Sequence, residues 1–266
     1  MSDIRRGVHV MDYESQARRH LNEWQREMLA EPGLINRAAR RLQSKVNSFI
    51  PERVHEVVTS VIKQMTRAVL TGSHYTTQPP LPTGTLLERE RAIATKIDVY
   101  RRTAVAEGGI TGAGGFLLGL ADFPLLIGIK LKLLFEIAAL YGHTTEDYQE
   151  RVYLLHIFQL AFSSDAHRRD VYLRMVDWQE QRARLPASID EFDWRTFQQE
   201  YRDYIDLAKM AQLLPIVGAP VGMIVNNRLV RKLGVTAMNA YRMRWFAEAD
   251  ARPRLLSPDQ AAGSSD

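Results

Sequence analysis

Residues 108–142 read GGITGAGGFLLGLADFPLLIGIKLKLLFEIAALYG, with glycine at six of the first twelve positions of an otherwise apolar run. In a helix interior each glycine costs roughly 1 kcal/mol relative to alanine, so about 5 to 6 kcal/mol has to be recovered by close packing. At about 100° per residue, Gly108, Gly112, Gly115 and Gly119 share one narrow helical face, and Asp122 closes that face one turn on. The pattern predicts a groove bare of side chains that ends in a carboxylate. Pro124 is expected to open a new helix that stops at Tyr141-Gly142, with Asp122 capping its start, so the segment reads as a helical hairpin.

The rest of the chain also repeats at about 3.6 residues, the period of a helix. A second apolar run, Leu213–Val225, repeats the small-residue device with Gly218 and Gly222 four apart. The predicted fold is therefore all-α, a multi-helix bundle built around two Gly-rich apolar helical hairpins. Upstream, the stripe Tyr13, Ala17, Leu21, Trp24, Met28 predicts a helix over 11–30, and two more amphipathic helices are expected over 34–50 and 52–70. Residues 71–85, TGSHYTTQPPLPTGT, are rich in Thr, Pro and Gly and free of charge, which reads as a linker between an N-terminal helical arm (1–70) and a helical body (86–250). Within the body, helices are expected over 86–107, from Thr144-Thr145-Glu146-Asp147 onward, over 165–185, from a Ser188…Glu191 capping box to Leu214, and from about 217 to 247. The polar tail 251–266 is expected to be disordered.

Composition narrows the compartment and the chemistry. The chain has 266 residues, 45% of them hydrophobic, which suffices for a full core and excludes disorder of the whole. With no cysteine, disulfides and thiolate metal sites are excluded. The N-terminus lacks the apolar stretch of a secretory signal, so a cytoplasmic location is expected. The net charge of +4 is unevenly laid out: residues 1–107 hold 17 Lys/Arg against 12 Asp/Glu, residues 146–206 hold 8 against 13, and residues 207–266 hold 8 against 4. Positive charge thus flanks the two apolar runs, where it can face anionic lipid. Residues 108–129 match the length of a membrane span, but Asp122, Pro124 and the glycines argue against crossing, which leaves insertion from one surface as the open alternative.

Asp122, Tyr141, His156 and Asn226 are the candidate ligand or structural polar cluster, with Asn226 and Asn227 expected to reach Asp122 if the two Gly-bearing segments pack face to face. A buried carboxylate has to be paired, hydrogen-bonded or protonated. The helix over 34–50 sets Arg37, Arg40, Arg41 and Lys45 opposite or beside its apolar arc, and Arg228, Arg231 and Lys232 follow the second apolar run; these are the candidate membrane-facing cations. Arg242, Arg244 and Trp245 add the type of pairing found at bilayer interfaces. No catalytic residue, metal site or cofactor is expected, because no phosphate-binding loop, nucleophile elbow or zinc-helix motif occurs, and Leu117 stands where a dinucleotide fingerprint needs its third glycine. No helix-turn-helix or basic zipper pattern points to nucleic acid.

Ala106-Glu107-Gly108, Thr111-Gly112, Gly114-Gly115-Phe116, Gly119, Asp122-x-Pro124, Ile137-Ala138 and Tyr141-Gly142, followed by Pro215, Gly218, Gly222 and Asn226, give residues 85–250 a pattern that resembles the EcsC family of bacterial proteins. The family takes its name from a gene beside the Ecs ABC transporter. The resemblance implies a helical protein linked by gene neighbourhood to membrane transport, and brings no defined biochemical activity with it. The expected function is that of a peripheral, non-enzymatic protein on the inner face of the membrane, assisting a transport or envelope process through a membrane surface, a lipid or a membrane protein such as an ABC transporter. The competing expectations are an enzyme acting on a lipid-like substrate with Asp122 in an apolar cavity, and an interaction protein whose N-terminal arm binds a partner helix.

Overall fold

The computed structural model describes residues 2–30, 52–71, 78–113, 115–163, 167–193, 196–197 and 219–251, with side-chain detail for 12–30, 56, 59–69, 78–103, 124–163, 167–193, 196–197, 224 and 226–251. Among these residues the fold is all-helical, with eight α-helices and no extended strand: α1 Ser2–Leu29, α2 Glu52–Thr71, α3 Leu86–Ala113, α4 Gly115–Tyr141, α5 Tyr148–Phe162, α6 Arg168–Val176, α7 Trp178–Arg184 and α8 Ala219–Ala251. The expected helix over 34–50, the tail after 251, Pro215 and Gly218 lie outside the described residues.

Three long helices set the frame. Helices α3 and α4 meet across residue 114 and pack side by side, and α8 runs antiparallel to α3 and parallel to α4. The register is pinned by cross-contacts: Glu90 of α3 with Arg242 of α8, Arg101 of α3 with Asn227 of α8, and Lys130 of α4 with Asn226 of α8. Midway along, α3 and α8 come close at Gly234, where an added Cβ would sit 2.6 Å from Ile97 Cδ1. Helix α5 fills the centre, with every residue except Gln149 buried. Such a helix cannot show a one-sided pattern, because it has no solvent face.

Local chemistry explains the ends. Thr85 and Glu88 form a reciprocal capping box at the head of α3, the Thr85 N–H donating to Glu88 Oε2 at 3.0 Å and the Glu88 N–H donating to Thr85 Oγ1 at 3.3 Å. Asp147 caps α5 by accepting from the Gln149 N–H at 2.9 Å. Helix α4 stops at Tyr141-Gly142 as the sequence predicts. Gly142 takes φ +93°, and the N–H groups of Gly142 and His143 return to the carbonyls of Ala139 and Ala138, the hydrogen-bond pattern of a glycine-terminated helix.

Three expectations need correction. Pro124 does not open a helix: α4 begins at Gly115 and runs through the proline, so Asp122 occupies an interior helical position instead of an N-cap. The exposed Pro124 leaves the carbonyl one turn back without its helical N–H. The segment 165–185 is not one helix. It bends at Asp177 between α6 and α7, which drives the Trp178 ring into the core against Tyr153, with centroids 4.8 Å apart. Ser188 accepts from the Asp190 N–H as a cap should, but a 3-10 turn, Ile189–Glu191, follows and is broken where Phe192 turns extended (ψ 128°) and buries its ring; helical residues resume at 196–197, and 198–214 of the expected helix lie outside the described residues. The buried cluster is continuous across the described residues: Ala17, Leu21 and Trp24 of α1 and Val61, Ile62, Met65 and Val69 of α2 belong to the same cluster as α3, α4, α5 and α8. The charge-free stretch before α3 is tied down as well, the Leu81 N–H donating to the Ala139 carbonyl at 2.9 Å.

The Gly234–Ile97 contact yields a test. Gly234→Ala gains helix propensity but collides with Ile97, and overpacking of this kind costs about 1 to 3 kcal/mol. Thermal unfolding should show Gly234→Ala destabilised in the native background and neutral or stabilising in an Ile97→Ala background; additive effects would contradict the contact.

Candidate functional site

Where α3, α4, α5 and α8 converge, the core holds a continuous polar layer. Glu90 on α3, 2% exposed, accepts from Arg242 Nε at 2.7 Å and Tyr141 OH at 2.8 Å, and also from Arg242 Nη2 and Tyr13 OH. Asn239, one turn before Arg242, accepts from Arg242 Nη1 at 3.2 Å. Glu150 on α5 accepts from Arg244 Nη1 on both oxygens at 2.8 Å and from Tyr241 OH at 2.7 Å. Aromatic rings join the two ion pairs: Tyr141 stacks on Tyr241 with centroids 5.1 Å apart, and His143 stacks on the same Tyr241 at 5.2 Å while its Nδ1 lies 3.1 Å from Arg244 Nη2.

The electrostatics follow from this geometry. Burial raises the Tyr141 and Tyr241 hydroxyls well above their ordinary range, and the neighbouring Glu90 and Glu150 push the same way. Tyr13 is raised to about 12 by burial and by its hydrogen bond to Glu90. Burial alone would lower Arg242, but the hydrogen bond and charge of Glu90 outweigh it and hold the guanidinium above its usual value. His143 moves the other way, lowered to about 4 by burial and by the positive charge of Arg244.

Chemically this layer is closed. Both carboxylates already accept several donors and the tyrosines donate to them, so no carboxylate stands ready to take a proton from a substrate. Among the described residues no group of three or more His, Asp or Glu is arranged to hold a metal ion.

The sequence-predicted cluster is dispersed. Tyr141 belongs to the polar layer. Asn226, buried, accepts from Lys130 Nζ at 2.7 Å, and Lys130 is itself 1% exposed. From Asn226 to Met238, whose carbonyl accepts from Tyr141 OH, α8 rises about 18 Å at 1.5 Å per residue. His156 lies elsewhere again, its Nδ1 3.3 Å from Gln159 Oε1 and its ring edge-on to Trp178 and Phe197. The side chain of Asp122 and the packing of Gly108, Gly112, Gly115, Gly119, Gly218 and Gly222 lie outside the described detail. Neither groove described in the structure is lined by Tyr141, His156 or Asn226. Arg242 and Arg244 are not interfacial: both are buried and paired. Glu90 and Glu150 escaped the sequence reading because their partners lie 152 and 94 residues away. The available signal was the charge they carry inside otherwise apolar helical faces. Of the candidate membrane-facing cations, Arg228, Arg231 and Lys232 are exposed on α8, whereas Arg37, Arg40, Arg41 and Lys45 fall outside the described residues. No helix among the described residues is long and apolar enough to cross a membrane.

Comparison with known proteins places this architecture. The chain matches the EcsC protein family over residues 15–246, so it belongs to that family, and the match reaches well upstream of the region where the sequence resemblance was legible. It is 43% identical over 227 residues to Protein EcsC of Bacillus subtilis (strain 168), covering 85% of this chain and 93% of that protein. It is also 28% identical over 145 residues to the uncharacterized protein YdbA of the same strain, covering 54% of this chain and 53% of the relative. No solved structure matches the chain.

Two measurements probe the polar layer. Removing one member of a buried ion pair strands the other, at a cost of about 3 to 5 kcal/mol. Urea unfolding should find Glu90→Gln and Arg242→Met each destabilised to this extent and the double variant less than their sum; a cost below about 1 kcal/mol for either single change would be that of a solvent-exposed pair. For His143, whose folded value near 4 lies below its ordinary 6.5, the unfolded chain binds the proton more tightly. Its contribution is therefore intact above about pH 6.5 and is lost progressively as the pH falls towards 4, by up to roughly 3 kcal/mol. The difference in stability between pH 7 and pH 4.5 should shrink in His143→Gln; an unchanged difference would show that another group carries the acid sensitivity.

Proposed function

We propose that the protein works as a non-catalytic, peripheral component at the cytoplasmic face of a membrane, contacting lipid or a membrane protein through the end of the bundle that carries Leu125 and Ile224. The observation that supports this reading is exposed apolar surface in the wrong place for a solvated protein: Leu125 on α4 is 61% exposed and Ile224 on α8 is 53% exposed. Because α4 and α8 run parallel, with Lys130 beside Asn226, these two side chains stand at nearly the same level of the bundle. Both lie in the apolar runs picked out by the sequence. Exposed Arg228, Arg231 and Lys232 follow Ile224 over little more than two turns, so apolar and cationic groups share one end. A large apolar side chain left in water costs most when it has neighbours of its own kind, which is why such patches mark interaction surfaces. Membership of the EcsC family supports the link to a transport or envelope process, with an ABC transporter as the candidate membrane partner. An enzymatic reading would need a cavity holding the predicted polar residues, and no feature of the described residues favours it.

Co-sedimentation with vesicles tests the proposal. The intact chain should bind phosphatidylglycerol-containing vesicles at low salt and release at high salt. Each basic residue near an anionic surface contributes about 1 kcal/mol, so Arg228→Glu/Arg231→Glu/Lys232→Glu should weaken binding on the order of 100-fold. Leu125→Asp/Ile224→Asp should abolish what salt leaves. Failure of the intact chain to bind anionic vesicles at low salt, together with a purely soluble cell fraction, would overturn the reading.

A further inference from the structure

At the opposite end of α8 from Ile224, the last turns of that helix and the α6–α7 bend enclose a groove of about 250 Å³ with apolar walls of Met175, Val176, Met243, Ala247 and Ala251. Val176 is 44% exposed although it lines the groove, and Leu173, one turn back on α6, is 45% exposed. Apolar surface of this kind gains by being covered. The rim is acidic: Glu248 lines the groove, and Asp177 stands exposed between two lining residues, Val176 and Trp178.

The nearest stretch of chain carries the complementary chemistry. Helix α8 ends at Ala251, itself a lining residue, so residues 252–266 set out from the edge of the groove. Pro253 has no N–H for the carbonyl of Ala249 and disfavours the helical region for Arg252, a stop signal just past the end of α8. Leu255 and Leu256 follow, the only large apolar residues in 252–266, with Arg252 and Arg254 before them. Four residues of extended chain beyond Ala251 span up to about 14 Å, whereas the groove runs back from Ala251 to Met243 over about 12 Å of helix, so the leucines can reach all of it.

We infer that the C-terminal segment folds back on its own bundle, its Leu255–Leu256 pair filling the groove against Val176 and Met243 and its arginines facing Glu248 and Asp177. The groove is smaller than the roughly 300 Å³ at which sites for drug-sized molecules begin, a size suited to aliphatic side chains. Two methionines give its walls the adaptability to close on them. Tethering favours this occupant over a free one, because a segment joined by so short a stretch competes at an effective concentration on the order of millimolar. Residues 252–256 are thereby set apart from the polar remainder of the tail, for which composition predicts disorder. The groove lies at the far end of α8 from the proposed membrane contact, so the two readings succeed or fail separately.

The chain has no cysteine, so disulfide trapping in the full-length protein tests the docking directly. Under mild oxidation Val176→Cys/Leu256→Cys should cross-link within one chain about tenfold faster than Ala249→Cys/Leu256→Cys, because Ala249 is within the same chain reach but on the opposite side of α8 from Ala247 and Ala251. With carbon-13-labelled methionine methyls in the cysteine-free chain, Leu255→Ser/Leu256→Ser should shift the resonances of Met175 and Met243, assigned by Met175→Leu and Met243→Leu, and leave that of Met65, in the core on α2, in place. Truncation after Ala251 should give the same methyl positions as the double serine variant. Equal cross-linking to Val176 and Ala249, or Met175 and Met243 signals unmoved by the serine changes, would overturn the inference. A cross-linking rate that rises with protein concentration would assign the tail to a second copy and overturn it equally.

Discussion

Arg242 and Arg244 are two residues apart on α8, so they leave that helix in nearly opposite directions, one towards Glu90 on α3 and the other towards Glu150 on α5. Each guanidinium has been taken out of water, which is costly unless the partner is close and the remaining hydrogen bonds are made. Here they are largely made: Tyr13, Tyr141 and Asn239 complete the first pair, Tyr241 and His143 the second. The two pairs together fix α8 in translation and in rotation. A slip of one turn along α3 would part both pairs at once and strand four buried charges, whereas an apolar seam of similar area would tolerate it. Low local dielectric strengthens such a network when it is complete and penalises it when it is not.

The close approaches elsewhere are arranged around that register. Between the polar layer and the Arg101–Asn227 contact, α8 presents Gly234 and Ala237 among its buried residues, and the glycine lets Ile97 of α3 come in where any Cβ would collide. At the other end of α4 the glycine stop at 142 turns the chain tightly enough for Arg89 to donate to the carbonyls of Leu81 and Leu140. A cation is thereby placed at the C-terminus of α4, where it satisfies an orphan carbonyl and opposes the negative end of the helix dipole. The extended stretch before α3 is held by the same guanidinium, so one residue seals two elements.

What the sequence makes legible is what depends on neighbours in the chain. The stripe from Tyr13 to Met28, the Tyr141-Gly142 stop and the acidic start at Asp147 are local patterns, and each element stands where the pattern puts it. Proline is the stronger local signal and draws the expected start of α4 to Pro124, but a proline whose ring faces solvent can be carried within a helix, and α4 begins nine residues earlier at Gly115. The long helix read over 165–185 bends because the pull on Trp178 comes from Tyr153, 25 positions earlier and on another helix. The polar layer was least legible. Arg242 and Arg244 beside Trp245 look the same in sequence whether they face lipid headgroups or buried carboxylates, and only the fold brings Glu90 and Glu150 to them.

The same layer also limits where function can reside. Its carboxylates, tyrosines and guanidiniums are engaged with one another in the centre of the bundle, so a ligand there would have to break a contact for each one it made. Exposed apolar surface is found instead towards the end of α8 that carries Ile224, which stands with Leu125 beside surface cations. Coupling between distant sites needs an element with two alternative arrangements that both sites bias. Pinned in both directions by Arg242 and Arg244, α8 offers no low-cost second position, so contact at one end has no route along that helix to the other.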